Sequence, residues 1–325
     1  MTASVPYRLF LFEFISAAAA AGAAVSPKLL SEGQAMFHAV AQDLQHIPWI
    51  VVTTINTTRE KDFKEAACAA DLCLVIAPET DGILQQYASW AIESGAKLLG
   101  PTPTAIHLTG DKLLLAEHFR KFKIPHPQTR ILEAGMEQDY PLIIKPRDGA
   151  GSEATAVIHS AEEKRKYEEK HPNCLNKCTL IQKYIRGYPV SVSFLIGAQR
   201  RCSLIPTEQL FEYHDFIRYK GGKIPLKCDL HKRAIDLAAK SLNTIAGLFG
   251  YVGVDLVLGR EEKDDVVIEV NPRLTTSYVG LRCLAKDNIA EALVRICLDK
   301  PVAEFSWLPY VIYFDVEGRI IQNQT

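Results

Sequence analysis

Four polar side chains in the last third of the chain have the types and spacing to do chemistry. In Val266-Val267-Ile268-Glu269-Val270-Asn271-Pro272-Arg273 the β-branched residues predict a buried strand, through which Glu269, Asn271 and Arg273 recur at every second position. That period puts a carboxylate, a carboxamide and a guanidinium on one face. Carboxylate and amide oxygens are hard ligands suited to Mg²⁺, and arginine offers a planar fork for phosphate oxygens. Upstream, Gly253 to Leu258 is a second apolar strand carrying Asp255, and the polar stretch Gly259 to Asp265 has hairpin length. Closing that hairpin sets Asp255 beside Glu269. Charges pairing with one another on a core strand are the alternative, but their burial is costly without a counter-ion.

Other residues could serve an anion. Lys145 ends the apolar run Tyr140 to Pro146 and is followed by Arg147-Asp148-Gly149-Ala150-Gly151-Ser152. Two glycines and a serine let backbone N–H groups turn onto phosphate oxygens while Lys145 neutralises them, although the pattern is not a P-loop: another strand, Ala154 to Ile158, follows, giving a hairpin flap. Lys112 stands in the first turn of a helix, where the dipole disfavours a cation unless an anion is near. Glu13 ends an otherwise apolar strand. Glu79 and Asp81 follow another strand, where they meet a substrate amine or Asp81 caps its helix. Thr275, Thr276 and Ser277, just before Tyr278, cap the next helix by default, with contact to an acceptor substrate as the other reading.

The elements that position these residues follow from periodicity. A strand at Arg8 to Phe14, a helix at Lys28 to Leu44 begun by Ser26-Pro27, a strand at Trp49 to Thr54, a helix at Arg59 to Ala70, a strand at Leu72 to Ala77, a helix at Gly82 to Ser94 and a strand at Lys97 to Leu99 alternate as in a doubly wound parallel sheet. The Ala-rich tract between Ile15 and Val25 reads as a loosely helical connector, or as a small-residue loop near a ligand; it is too weakly apolar to span a membrane. Gly100-Pro101-Thr102-Pro103 closes this region. The 325 residues, 48% hydrophobic and 23% charged, imply about two or three domains with ordinary cores. A net charge of −1 gives no field for nucleic acid or an anionic membrane. Eight cysteines without a secretory leader suggest reduced thiols in the cytoplasm. Cys174 and Cys178 near His171 lack the second pair that a zinc site needs, so they read as thiols.

The order of parts resembles the ATP-grasp superfamily of carboxylate ligases. It runs from an α/β region through an Asp-Lys helix (Asp111-Lys112), Ile144-Lys145-Pro146 with Gly149, Gly151 and Ser152, and Gln182-Lys183-Tyr184-Ile185 before Gly187, to the Asp255 strand and Glu269-Val270-Asn271-Pro272-Arg273. Leu11-Phe12-Glu13-Phe14, the helix from Leu29 to Phe37, TGDK and NPRLTTSYVG are similar to tyramine–glutamate ligases of methanofuran biosynthesis. The resemblance implies an α/β (α+β) protein. Residues 1–108 would be a pre-ATP-grasp domain, 109–184 a small central domain with the glycine-rich flap, and 185–325 a carboxyl-terminal domain with an antiparallel sheet and the metal site. It also implies ATP held by Lys112, Lys145, Gly149, Ala150, Gly151 and Ser152, adenine in the hinge Gln182, Lys183, Tyr184 and Ile185, and Mg²⁺, with Mn²⁺ able to substitute, on Asp255, Glu269 and Asn271. Arg273 would sit by an acyl-phosphate. Pro189 replaces the acidic ribose ligand common in the family, with Glu208 as a stand-in. Tyr213 to Ile224 would be a lid carrying Arg218. The implied reaction joins a carboxylate to an amine, glutamate and tyramine on the narrow likeness, with Glu13, Glu79, Asp81 and Tyr278 as candidates for the amine and Arg218 or Lys220 beside Arg273 for the acid. A peptide-forming amino-acid ligase and a nucleotide-binding module without turnover are the alternatives. The partners are small molecules, and a homodimer is one option for an open oligomeric state.

Overall fold

The structure is a computed structural model that describes residues 5–133, 139–149, 154–171, 178–214 and 216–322. The amino-terminal region runs β1 (Tyr7–Glu13), α1 (Phe14–Ala20), α2 (Pro27–Gln45), β2 (Ile50–Thr53), α3 (Glu60–Cys68), β3 (Leu72–Ile76), α4 (Ile83–Glu93) and β4 (Lys97–Leu98). Its sheet has the order β2-β1-β3-β4 with parallel neighbours throughout, as the alternation predicts. Ser26 caps α2 by accepting from the Leu29 N–H, and Pro27 supplies a first residue that needs no N–H partner. The Ala-rich tract is more ordered than a loose connector. Phe14 to Ala20 is a helix because Glu13 accepts from the N–H groups of Ile15 and Ser16.

The chain continues through α5 (Pro103–Gly110), α6 (Lys112–Lys121), β5 (Thr129–Ile131), β6 (Leu142–Pro146), β7 (Ala156–Ile158), α7 (Ala161–Lys170) and β8 (Thr179–Lys183), the strands forming a small sheet β5-β8-β6-β7. Helix α5, which the sequence reading of Gly100 to Pro103 as the close of the first region did not include, starts within that stretch. Thr102 caps it and Pro103 opens it, the same start as Ser26-Pro27. Asp111 caps α6 through the N–H groups of Leu113 and Leu114.

The last part comprises β9 (Tyr188–Ile196), β10 (Arg201–Ser203), β11 (Thr207–Tyr213), β12 (Ile217–Ile224), α8 (Cys228–Leu242), β13 (Gly250–Leu258), β14 (Val266–Asn271), α9 (Ser277–Leu284), α10 (Ile289–Cys297), β15 (Ile312–Asp315) and β16 (Ile320–Gln322). Its antiparallel sheet has the order β14-β13-β9-β11-β12-β15-β16, with β10 on β9. The segment expected as a lid from Tyr213 to Ile224 is instead mostly strand β12, paired with β11 and β15.

One core joins the two ends of the chain. Leu9, Leu11 and Met36 of the amino-terminal layer pack in the same cluster as Leu281, Leu293 and Phe314. Among the described residues no helix is long and apolar enough to cross a membrane. Gly250 shows how tightly the sheets meet: it has φ +74°, and a Cβ there would lie 2.4 Å from the Leu99 carbonyl oxygen. Both the left-handed backbone and that overlap oppose any side chain. Gly250→Ala is therefore expected to cost about 3 kcal/mol, read as a lowered denaturant midpoint at unchanged slope. A midpoint within error of the parent's would refute this packing.

Candidate functional site

Register, rather than sequence proximity, brings the carboxylates together. On β13 and β14, Asp255 pairs with Glu269 and Gly253 with Asn271, and the ladder then skips Ile268, so that Leu256 faces Val267. This bulge leaves Ile268 and Glu269 both lining a cavity of about 250 Å³, together with Asp255, Asn271 and Arg273. Asp255 accepts from Gln209 Nε2 and from Asn271 Nδ2, each at 3.1 Å. Lys112 Nζ lies 3.9 Å from Glu269 Oε2 and donates to the Gly149 carbonyl at 2.9 Å. Lys145 is buried in the same wall.

The electrostatics follow from crowding. Burial, and then the neighbouring Glu269, push the Asp255 carboxyl well above the usual carboxylate range. Burial also raises Glu269, but Lys112 and Lys145, with the Asp255 hydrogen bond and Arg273, more than offset it and leave Glu269 below its ordinary value. Burial, with Lys112 acting in the same direction against Glu269, pushes Lys145 down to about 8. Two carboxylates competing for charge in one desolvated spot fit a divalent cation. Asn271, its amide nitrogen given to Asp255, keeps its oxygen as a third hard ligand. Among the described residues no group of three His, Cys, Asp or Glu could hold a metal, so the rest of a hard cation's shell would come from phosphate and water oxygens.

Glu13 at the end of β1, Ile15 of α1 and Leu29, Glu32, Gly33 and Met36 of α2 line the same cavity, with Lys28 Nζ 3.6 Å from Glu32 Oε1. Glu13 and Glu32 are only 4% and 7% exposed, and burial raises the Glu13 carboxyl against the hydrogen bonds from Ser16 and Ile15. Gly33 is required by that carboxylate, since a Cβ would stand 2.8 Å from Glu13 Oε1.

Residues 109–277 match the model of the ATP-grasp domain. The chain belongs to the ATP-grasp family. Residues 37–106 match the pre ATP-grasp 3 domain. Tyramine–L-glutamate ligase of Methanocaldococcus fervens is 28% identical over 225 residues, 69% of this chain and 65% of that protein. The protein of the same name from Methanocaldococcus jannaschii is 27% identical over 228 residues, covering 69% and 62%. The chain thus spans less than two thirds of either relative. An ATP-grasp superfamily protein of Archaeoglobus fulgidus superposes with a TM-score of 0.73 at 25% identity, over 94% of this chain and 92% of that one.

Around the ATP-grasp cavity the structure gathers some expected residues and separates others. Lys112, Lys145, Gly149, Gln182 and Lys183 to Ile185, the residues expected to form a hinge, line it. Gln182 gives its side-chain N–H to Thr129 at 2.8 Å, while the Lys183 and Tyr184 amides serve the Gln128 and Pro141 carbonyls. Ala150, Gly151 and Ser152 lie outside the described residues. Glu208 does not line the cavity: it faces Lys223 at 3.6 Å on the other side of β11, whereas Gln209, Phe211 and Tyr213 alternate inward. Arg218 is exposed, with Glu212 as its cross-strand neighbour. Asp81 is exposed and caps nothing; its N–H donates to Asp148. Glu79 lies behind Arg273 rather than on the cavity. Tyr278 is fully buried against Tyr251 and donates to Asp43 at 2.5 Å. The hydroxyls of Thr275, Thr276 and Ser277 belong to residues lining the cavity, and α9 has no side-chain cap, contrary to the capping expectation.

Gln209 and Glu32 were not anticipated. The alternation of β11 points to the first, and the second sits in the stripe Leu29, Glu32, Gly33, Met36, whose helical spacing carries one carboxylate in an apolar face.

Tyr278→Phe is expected to remove about 1–2 kcal/mol of stability and leave nucleotide affinity and turnover unchanged, Asp43 keeping its Arg282 partner. A tenfold loss of turnover would return Tyr278 to the site. Lys145, neutral above pH about 8 in the free protein, should hold its proton to higher pH beside phosphate. Binding of magnesium-free ATP at about pH 8.5 should then take up a proton, measured by titration calorimetry in buffers of different ionisation enthalpy. The uptake should disappear in Lys145→Met; uptake that survives the substitution belongs to another group.

Proposed function

We propose that the protein is an ATP-dependent carboxylate–amine ligase working through an acyl-phosphate, and that its acid is the side-chain carboxylate of glutamate and its amine tyramine. The observation that carries this reading is one cavity whose lining holds two groups of residues, Asp255 and Glu269 with Lys112 and Lys145, and Glu13 and Glu32 with Leu29 and Met36, with Arg273 in the same lining. The named ligases among its relatives support it. In this reading residues 1–108, 109–184 and 185–325 are the pre-ATP-grasp, central and carboxyl-terminal domains of a cytoplasmic enzyme.

Phosphoryl transfer asks a protein chiefly for positioning and charge neutralisation. Lys112 and Lys145 hold phosphate oxygens, and the hinge from Lys183 to Ile185 receives adenine. Asp255, Glu269 and Asn271 would hold Mg²⁺, which when bound neutralises phosphate charge. A substrate carboxylate oxygen attacks the γ-phosphorus and ADP leaves. The amine nitrogen then attacks the acyl carbon, phosphate departs, and the amine's proton passes to solvent. Arg273 faces the anionic oxygens of the acyl-phosphate. Glu32 and Glu13 offer charge to an ammonium, and Leu29, Met36 and Ile15 an apolar wall to its body.

The test is phosphate release from ATP and Mg²⁺ with glutamate and tyramine, separately and together. Both together should accelerate release and yield a γ-glutamyl amide by mass. Stimulation only by a different acid and amine would leave the ligase class and discard this pair; none with any pair would discard the ligase. Glu269→Gln should stay folded and lose about 100-fold or more in kcat. Turnover retained at ordinary Mg²⁺ would remove Glu269 from the metal site.

A further inference from the structure

The loop after β3 touches the machinery at two points. Glu79, 9% exposed, accepts from Arg273 Nε at 3.0 Å across 194 residues of sequence. The side chains of both partners are nearly buried, 10% exposed for Arg273 and 6% for Glu79. Two residues on, the Asp81 N–H donates to Asp148 Oδ2 at 3.1 Å, next to Gly149, whose carbonyl accepts from Lys112. Behind Glu79 the backbone is closed, because a Cβ at Gly110 would meet Glu79 Cβ at 3.1 Å and Cγ at 3.5 Å. Glu79 is thus held from behind and from the side.

The pairing is lopsided. Arg273 also gives Nη1 to the Leu274 carbonyl at 3.2 Å. Among the described residues the second carboxylate oxygen of Glu79, Oε2, is buried without a hydrogen-bond partner. A buried carboxylate in an ion pair ordinarily satisfies both oxygens, and leaving one bare is costly. A contact serving stability alone would gain from the bidentate arrangement. Holding only the Nε edge leaves the remaining guanidinium N–H groups for the cavity that Arg273 lines.

We propose that Glu79 is a positioning residue that aims Arg273 into the cavity from the amino-terminal layer. This rests on the reading of Arg273 as the group beside the acyl-phosphate. Glu79 touches no substrate and acts through the arginine. Its removal therefore changes the chemical step more than ATP binding, and changes nothing once the arginine is gone.

The experiment compares Glu79→Gln, Arg273→Lys and the double variant in the phosphate-release assay with the best acid and amine pair, alongside their melting temperatures. Glu79→Gln should lower kcat about 30-fold with KM for ATP within threefold. In the Arg273→Lys background the same change should cost less than threefold. Gly110→Ala, which presses on Glu79 without altering any charge, should also lower kcat and should be silent in Glu79→Gln. The proposal is overturned if Glu79→Gln stays within threefold of the parent, or if its full cost persists in the Arg273→Lys background. If Glu79→Gln does not fold, an inert Gly110→Ala overturns it and an impaired one supports it. A parent protein that turns over no acid and amine pair would instead sink the ligase reading, a failure visible before any variant is made.

Discussion

Two carboxylates forced side by side by strand register are the constraint around which this cavity is built. Asp255 and Glu269 are opposite partners on neighbouring strands, too close for both to be comfortably charged in a desolvated space. The fold answers with cations from elsewhere: Lys112 from the start of α6 and Lys145 from the end of β6 lower Glu269, while Asp255 stays raised. The balance is local and conditional. An anion alone would strengthen the lysine side and leave the carboxylates exposed to its repulsion, and a cation alone would do the reverse. A ligand that brings both signs together disturbs the arrangement least, and a phosphate chain escorted by a divalent metal is such a ligand.

Glu13 and Glu32 share the cavity lining with Leu29, Met36 and Ile15 and are nearly buried, so a carboxylate's field there is little screened, with Lys28 Nζ 3.6 Å from Glu32. Glu13 serves twice there, as cap of α1 and as cavity wall, which fixes its oxygens by backbone N–H groups and requires a glycine opposite.

Local signals carried far in the sequence, and three-dimensional ones did not. Strand alternation placed Asp255 against Glu269, and Ser26-Pro27 marked the start of α2, because each depends on residues within a few positions. The same cap-and-proline signal at Thr102-Pro103 was obscured by the flanking glycine and proline, and α5 was missed. Glu208 faces away from the cavity and its neighbour Gln209 lines it: a strand's period is legible, but its phase depends on which face the rest of the molecule covers. Tyr278 and Glu79 owe their positions to partners 235 and 194 residues away, and no pattern inside their own segments reveals Asp43 or Arg273. The buried carboxylate of Glu32 was visible as an acid in an apolar stripe, yet only the packing of α2 against the cavity gives it meaning.

The core shared by the first and last layers bears on how the chain is made. Leu9 and Leu11 of β1 bury against a cluster that includes Leu293 and Phe314, so β1 lacks part of its hydrophobic cover until those distant segments have been synthesised. At 5–20 residues per second that interval is on the order of tens of seconds. Contacts of such sequence separation are slow to close and leave apolar surface open meanwhile. Until then the segment from β1 to β2 exposes apolar side chains that it buries in the finished molecule, and its stability in isolation would fall short of its stability there.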